Sequence, residues 1–219
     1  MKKRILSILL LCCMVLTLLP TTVSAADGPM NTIPKYDVSI DVYNRTSDIS
    51  IKDSRSYYIY SSVPDKFRDT WAWDKKIFIK GDKTAPHVFI DGVNIEMSPS
   101  SKGPAIELNK KASAYIYFIG KNSSLQGADG RAAIQKNRSE GQLYVLARTG
   151  TTVTCKGGDK AAGIGGSYAT RNISNGYYNG DMYGHGVNMH FGSRSNPDYW
   201  GGTIAAIGGR NGAGIGAGR

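Results

Sequence analysis

Ala161-Ala162-Gly163-Ile164-Gly165-Gly166 recurs near the end of the chain as Gly212-Ala213-Gly214-Ile215-Gly216-Ala217. Shorter forms of this phrase come earlier, as Gly103-Pro104-Ala105-Ile106 and Arg131-Ala132-Ala133-Ile134. The four isoleucines are separated by 28, 30 and 51 residues, and a repeat of this size is typical of stacked structural units. Because the residues between the phrases are rich in β-formers, as in residues 115–119, the sequence predicts an all-β solenoid.

The phrase itself alternates with a period of two residues. On a strand, Ala162 and Ile164 share one face while Gly163 and Gly165 share the other. The Ala and Ile face can pack inward against the same face of the next repeat. Two interpretations of the glycines stay open: they permit sharp corners and close backbone approach, or their bare outer face forms a groove for a ligand.

The first 25 residues have the pattern of a secretory signal peptide. A basic start at residues 2–4 precedes a largely apolar run of 15 residues, and Val23-Ser24-Ala25 is a small-residue cleavage site. The apolar run is shorter than a membrane span requires, so no stable membrane span is expected. The pattern predicts a secreted protein, extracellular or associated with the cell wall. Cys155 is then the one cysteine left of three, which excludes an intrachain disulfide.

The chain is basic, with a formal charge of +10. Removing the signal peptide removes three positive charges and leaves +7. This charge favours anionic partners such as acidic polysaccharides, teichoic acids or membrane surfaces, although it can also serve solubility alone. Export argues against nucleic acid as a partner, and the oligomeric state is left open.

We expect residues 26–75 to form a leader and N-terminal capping strands, and residues 76–219 to form the repeats. Trp71 and Trp73 lie two residues apart, so on a strand they share a face. Facing inward, the two rings would cap the open end of the solenoid; facing solvent, they would form a platform for sugar rings.

An insertion rich in Tyr, Asn and Gly is expected at about residues 167–186, where the repeat spacing nearly doubles. Either one repeat carries a long loop or a whole degenerate repeat lies between Ile164 and Ile215. Long loops on regular scaffolds often bind ligands, and Tyr with Asn and Gly is typical of adaptable binding surfaces. The candidate carbohydrate-binding residues of the whole chain are Trp71, Trp73, Tyr177, Tyr178, Tyr183 and His185.

The corners of the repeats carry polar residues that we interpret as structural. Residues 122–127 and 148–153 are predicted to occupy equivalent corners, where Asn and Thr side chains can form hydrogen-bonded ladders. Asp91-Gly92 and Asp129-Gly130 have the composition of turns. The remaining carboxylates are scattered and the histidines lack the spacing of a zinc site, so no catalytic residue and no metal ligand is identified.

Residues 90–95, 103–106 and 157–166 together resemble secreted β-helix surface proteins of Gram-positive bacteria that carry Gly-Ala-Gly-Ile-Gly-Gly repeats. Those proteins are similar to carbohydrate-binding proteins with the pectate-lyase-like fold. The resemblance covers about residues 76–219 and implies a right-handed parallel β-helix that binds polysaccharide. Because the sequence ends at residue 219, just after the fourth phrase begins, we expect the solenoid to be C-terminally truncated here. Some relatives bind calcium, but no compact cluster of Asp and Glu carries that property over to this chain.

Three functions therefore remain open. The first is a non-catalytic surface protein that binds carbohydrate, with an anionic polysaccharide or cell-wall glycan as the favoured ligand, or that acts in adhesion. The second is a structural stalk that displays a domain beyond residue 219. The third, which the scattered carboxylates disfavour, is a polysaccharide lyase or hydrolase.

Overall fold

The computed structural model describes residues 35–98, 103–109, 111–136, 140–167, 186–193 and 199–216. The described part contains one short 3₁₀ helix, Asp65–Phe67, and no helix there has the length and apolarity to cross a bilayer. Sixteen strands form the remainder of its regular structure. They are β1 (Val38–Asp41), β2 (Ile49–Ile51), β3 (Ser56–Tyr60), β4 (Ile77–Lys80), β5 (His87–Asp91), β6 (Asn94–Glu96), β7 (Ile106–Asn109), β8 (Ala114–Ile119), β9 (Ser123–Gln126), β10 (Ile134–Lys136), β11 (Leu143–Ala147), β12 (Thr152–Lys156), β13 (Ile164–Gly165), β14 (Met189–Phe191), β15 (Thr203–Ile207) and β16 (Ile215–Gly216).

The strands form three parallel sheets that wind into a parallel β-helix, as the repeat predicted. Sheet A has the order β1-β3-β5-β8-β11-β14, sheet B has β2-β4-β7-β10-β13-β16, and sheet C has β6-β9-β12-β15. The chain visits the sheets in the order A, C, B, and we call one such circuit a coil. Four complete coils begin at β5, β8, β11 and β14.

The isoleucines of the repeated phrase form a column inside sheet B. Ile106, Ile134, Ile164 and Ile215 are paired in register across successive strands, and Ile49 and Ile77 extend the column toward the N-terminus. The first five members of the column are at most 2% exposed, whereas Ile215 on the last described coil is 47% exposed. Burial of each such side chain contributes about 1.5–3 kcal/mol, so the column is a main source of stability.

The double-length spacing between Ile164 and Ile215 belongs to a single coil. Strand β13 pairs directly with β16, and the two strands between them pair with β11 and β12 of the preceding coil. Within the described residues, one coil therefore spans the whole interval between the two isoleucines. Residues 168–185, which contain most of the insertion, lie outside the described part of the chain.

The N-terminal strands belong to the same solenoid as the later coils. Strand β1 pairs with β3 in sheet A, and β2 pairs with β4 in sheet B. Trp73 occupies the place of a sheet C strand through a parallel bridge to Ile95. Its ring is 3% exposed and its indole Nε1 donates to the Arg45 carbonyl at 2.8 Å, so it closes the core of the first coils.

The glycines of the repeated phrase serve close packing of one coil on the next. A Cβ on Gly163 would lie 2.6 Å from the Cys155 oxygen, 2.7 Å from the Ile207 nitrogen and 2.8 Å from the Gly214 oxygen. No side chain fits among these main-chain atoms. The structure thus supports the close-approach interpretation of this glycine over the open-groove interpretation.

The corner at Asp91-Gly92 joins strands of two different sheets, as expected for a solenoid rather than a hairpin. Gly92 has a φ of +61°. The Asp91 carboxylate accepts from the Lys121 amide at 2.9 Å and from the Tyr58 hydroxyl at 2.8 Å, so it ties three successive coils together.

Cys155 faces the core, and burial raises the pKa of its thiol to about 12, which keeps it protonated and unreactive.

Replacing Ile134 by Ala will lower the free energy of unfolding by about 2–5 kcal/mol, because the cavity lies in a continuous column that cannot collapse locally. The control is Ile207→Ala, the same substitution at a side chain that is 48% exposed, with an expected change within about 0.5 kcal/mol. Urea denaturation measures both. Equal losses in the two variants would contradict the role of the column.

Gly163→Ala will separate β13 from β16, because the added Cβ meets rigid main chain on three sides. Hydrogen exchange of the Ile164 amide, which donates to the Gly214 carbonyl at 3.0 Å, measures this opening and is expected to accelerate strongly. Gly150→Ala is the control: its Cβ would meet nothing within 4 Å, and the strain that the φ of +84° imposes on it stays in the turn between β11 and β12, so the Ile164 amide is expected to remain protected. Unchanged exchange in Gly163→Ala would show that the coils need no such close approach.

Candidate functional site

The outer face of sheet C carries a row of small polar side chains. Asn94, Ser124 and Thr154 occupy register-matched positions on β6, β9 and β12, while Ile95, Leu125 and their register partners face the core. Because paired strands lie about 4.8 Å apart, the three polar side chains are presented at that spacing by a rigid backbone. This row forms the floor of the candidate site.

A wall rises beside this floor from the segment that contains the 3₁₀ helix. Arg68 fixes the wall, since its guanidinium donates to the Gly92 carbonyl at 3.1 Å and to the Val63 carbonyl at 3.2 Å. The Asn94 amide nitrogen donates to the Arg68 carbonyl at 2.8 Å, and Lys121 pairs with Asp65 at 2.7 Å. The wall is thereby bonded to the floor from both sides.

Wall and floor enclose an open groove with two adjoining parts, which we call the sheet C groove. The larger part has a volume of about 570 Å³ and the smaller of about 130 Å³, and both are lined by Asp69, Asn94 and Ser124. The larger part reaches Thr152 and Thr154, and the smaller reaches Trp71 and Glu96. The remaining lining residues are Asp65, Arg68, Thr70, Ala72, Ile95, Gly120, Lys121, Asn122, Ser123 and Gln126.

Several polar groups of the groove have no partner within the described part of the protein. The Asn94 and Asn122 side-chain oxygens accept from the Ser124 amide at 3.0 Å and from the Thr152 amide at 2.8 Å, which fixes the coils. The hydroxyls of Ser124 and Thr154 make no such bond within the described ranges and face the groove. Hydroxyls that can both donate and accept are suited to polyhydroxylated ligands.

The charges of the groove are nearly balanced. The side chains of Lys121 and Arg68 lower the pKa of the Asp65 carboxyl by hydrogen bonding, which keeps this carboxyl ionised. Asp69 and Glu96 are exposed and have no ion-pair partner in the described ranges. Three carboxylates against two cations give the groove a formal charge of −1, opposite in sign to the whole chain.

The structure separates the two tryptophans of the candidate set. Trp71 lies at the end of the groove, partly buried, with its ring edge-on to Tyr43 at a centroid distance of 5.5 Å. Trp73 is in the core, so its ring offers no face to a ligand. The two rings therefore do not form a shared sugar platform. The other candidates, Tyr177, Tyr178, Tyr183 and His185, lie outside the described residues.

Sheet A has a column of stacked rings on its outer face. His87, Tyr115, Tyr144 and His190 follow one another in register with centroid distances of 4.6, 4.5 and 4.4 Å. Each ring covers the face of the next, so the interior of the column presents only ring edges to a ligand. Beside it, Trp200 covers a second row of apolar side chains, and this surface is thus largely self-packed.

Within the described residues, no group of three or more His, Cys, Asp or Glu side chains could hold a metal ion.

The polar corners of successive repeats do not align as the sequence analysis predicted. Asn122 lies opposite Thr152, so residues 122–127 match 152–157 and not 148–153. The polar floor of the groove follows from this register.

Comparisons with family models, curated proteins and solved structures found no match for this chain.

Replacing Asn94 by Ala will lower the free energy of unfolding by about 1–2 kcal/mol, because its amide bonds both the wall and the next coil. Ser124→Ala is the control, since that hydroxyl has no bond in the described structure, and its effect is expected within about 0.5 kcal/mol. Urea unfolding monitored by tryptophan fluorescence compares them. A loss in Ser124→Ala as large as in Asn94→Ala would contradict this assignment of bonds.

Proposed function

We propose that the protein is a secreted, non-catalytic carbohydrate-binding protein, and that the sheet C groove is its binding site. One observation carries the proposal: the groove is lined by hydroxyl, amide and carboxylate groups with unused hydrogen-bonding capacity, and Trp71 lines its smaller part. Sugars offer many hydroxyls that donate and accept, and their apolar ring faces pack on aromatic side chains. The groove presents both kinds of contact.

The rigidity of the site supports the proposal. Ser124 and Thr154 project from paired strands, so a ligand meets polar groups that are already in position. The groove is also open along its length, which suits a segment of a longer polymer rather than an enclosed small molecule. Both properties favour a polysaccharide over the purely structural role of a stalk, which requires no unused polar groups on one face.

The test is affinity electrophoresis in native gels that contain a dissolved polysaccharide, compared with gels that contain none. Thr154→Trp fills the groove with a large ring and is expected to reduce polysaccharide affinity at least tenfold. Ser50→Trp places the same ring on the outer face of sheet B, where Ser50 is exposed, and is expected to bind as the unaltered protein does. Trp71→Ala is expected to weaken binding severalfold.

Urea unfolding of the same variants checks that each is folded. Retardation at moderate salt that Thr154→Trp leaves intact would contradict the assignment of the groove, because binding to the basic surface alone is screened there. The absence of retardation in every gel would contradict carbohydrate binding and favour the structural stalk.

A further inference from the structure

We infer that the sheet C groove selects an uncharged polysaccharide, and that Asp69 and Glu96 discriminate against anionic ones. The inference rests on the proposed function and adds the chemical class of the ligand to it. It departs from the expectation of an anionic ligand that the net charge of the chain suggests, because the charge of the groove differs from that of the whole molecule.

The cations of the groove are already paired with a carboxylate of the protein. Lys121 is held by Asp65 at 2.7 Å, and Arg68 pairs with the same carboxylate at 3.1 Å. The Arg68 guanidinium also donates to two backbone carbonyls, so its donors are directed into the protein. A uronate that enters the groove meets Lys121 only beside the Asp65 carboxylate, which offsets the charge of this lysine.

Two carboxylates of the groove, in contrast, have no cation beside them in the described structure. Asp69 lines both parts of the groove and Glu96 lines the smaller part, and neither carboxylate has an ion-pair partner in the described ranges. An acidic polymer that lies in the groove passes both charges, and like charges at short distance repel. Its binding is therefore opposed at the site, whatever attraction the rest of the surface supplies.

The same two carboxylates stabilise a neutral sugar. An ionised carboxylate is an acceptor only, and hydroxyls that donate to it form stronger bonds than those between neutral groups. A neutral hexose has hydroxyls to donate, and the Ser124 and Thr154 hydroxyls complement them. Asp69 and Glu96 are thus specificity-determining residues of the groove.

The experiment compares neutral polymers with polygalacturonate in affinity gels at low and moderate salt. Hydroxyethylcellulose, laminarin and galactomannan are the neutral probes. The unaltered protein is expected to be retarded by a neutral polymer at both salt concentrations. Retardation by polygalacturonate is expected to vanish at moderate salt and to persist unchanged in Thr154→Trp at low salt, because it reflects the basic surface alone.

The double variant Asp69→Asn/Glu96→Gln removes both charges with little change in shape. Its affinity for the neutral polymer is expected to fall about fivefold, and it should gain salt-resistant, groove-dependent binding to polygalacturonate. The control is Asp74→Asn/Asp129→Asn, which makes the same charge change at two exposed sites outside the groove and is expected to alter neither property.

The outcomes separate the inference from the function on which it rests. If polygalacturonate binds the unaltered protein at moderate salt and Thr154→Trp abolishes this binding, the groove binds carbohydrate but the inference is overturned. If the double variant and its control behave alike, the discrimination by Asp69 and Glu96 is overturned. If no polymer is retarded, both proposals fall.

Discussion

The in-register pairing of each coil with the next is the constraint on which the rest of the structure depends. Each of the sixteen described strands is parallel to its neighbours, and one residue of slippage would move the isoleucine column to the outer face. Main-chain hydrogen bonds set the spacing, and Ile106 and Ile134 fix which face is inside. At Gly163 the coils approach so closely that only hydrogen fits between them. Register, core and close approach therefore reinforce one another.

The candidate site is a consequence of that register. Asn94, Ser124 and Thr154 are 30 residues apart in the sequence and become neighbours only because β6, β9 and β12 align. The wall is contributed by a segment of an earlier coil, which Arg68 ties to the corner at Gly92. A regular fold thus supplies the floor, and one irregular segment converts a flat sheet face into a groove.

The sequence was sufficient for the fold because the repeated phrase contains both the period of the coil and the period of the strand. It was insufficient for the groove, because residues 122–127 were predicted to align with 148–153. The structure instead pairs Asn122 with Thr152, four residues further along the chain. The 30-residue recurrence of Asn94, Ser124 and Thr154 is a signal that could have revealed the floor. The wall could not be derived, because it depends on tertiary bonds of Arg68. The spacing of Trp71 and Trp73 also left open whether they face the core or the solvent, and the structure buries Trp73 while the partly exposed Trp71 packs against the same core cluster.

The long insertion lies in the chain at the corner between β13 and β14, and the strands on either side of it keep their pairing. Closing a loop of twice the length costs only about 0.6 kcal/mol of chain entropy. A corner of this kind therefore tolerates the gain or loss of whole segments at small thermodynamic expense. Length variation is uncoupled from core stability, which makes the corners the positions where such a chain can diversify during evolution while its coils stay unchanged.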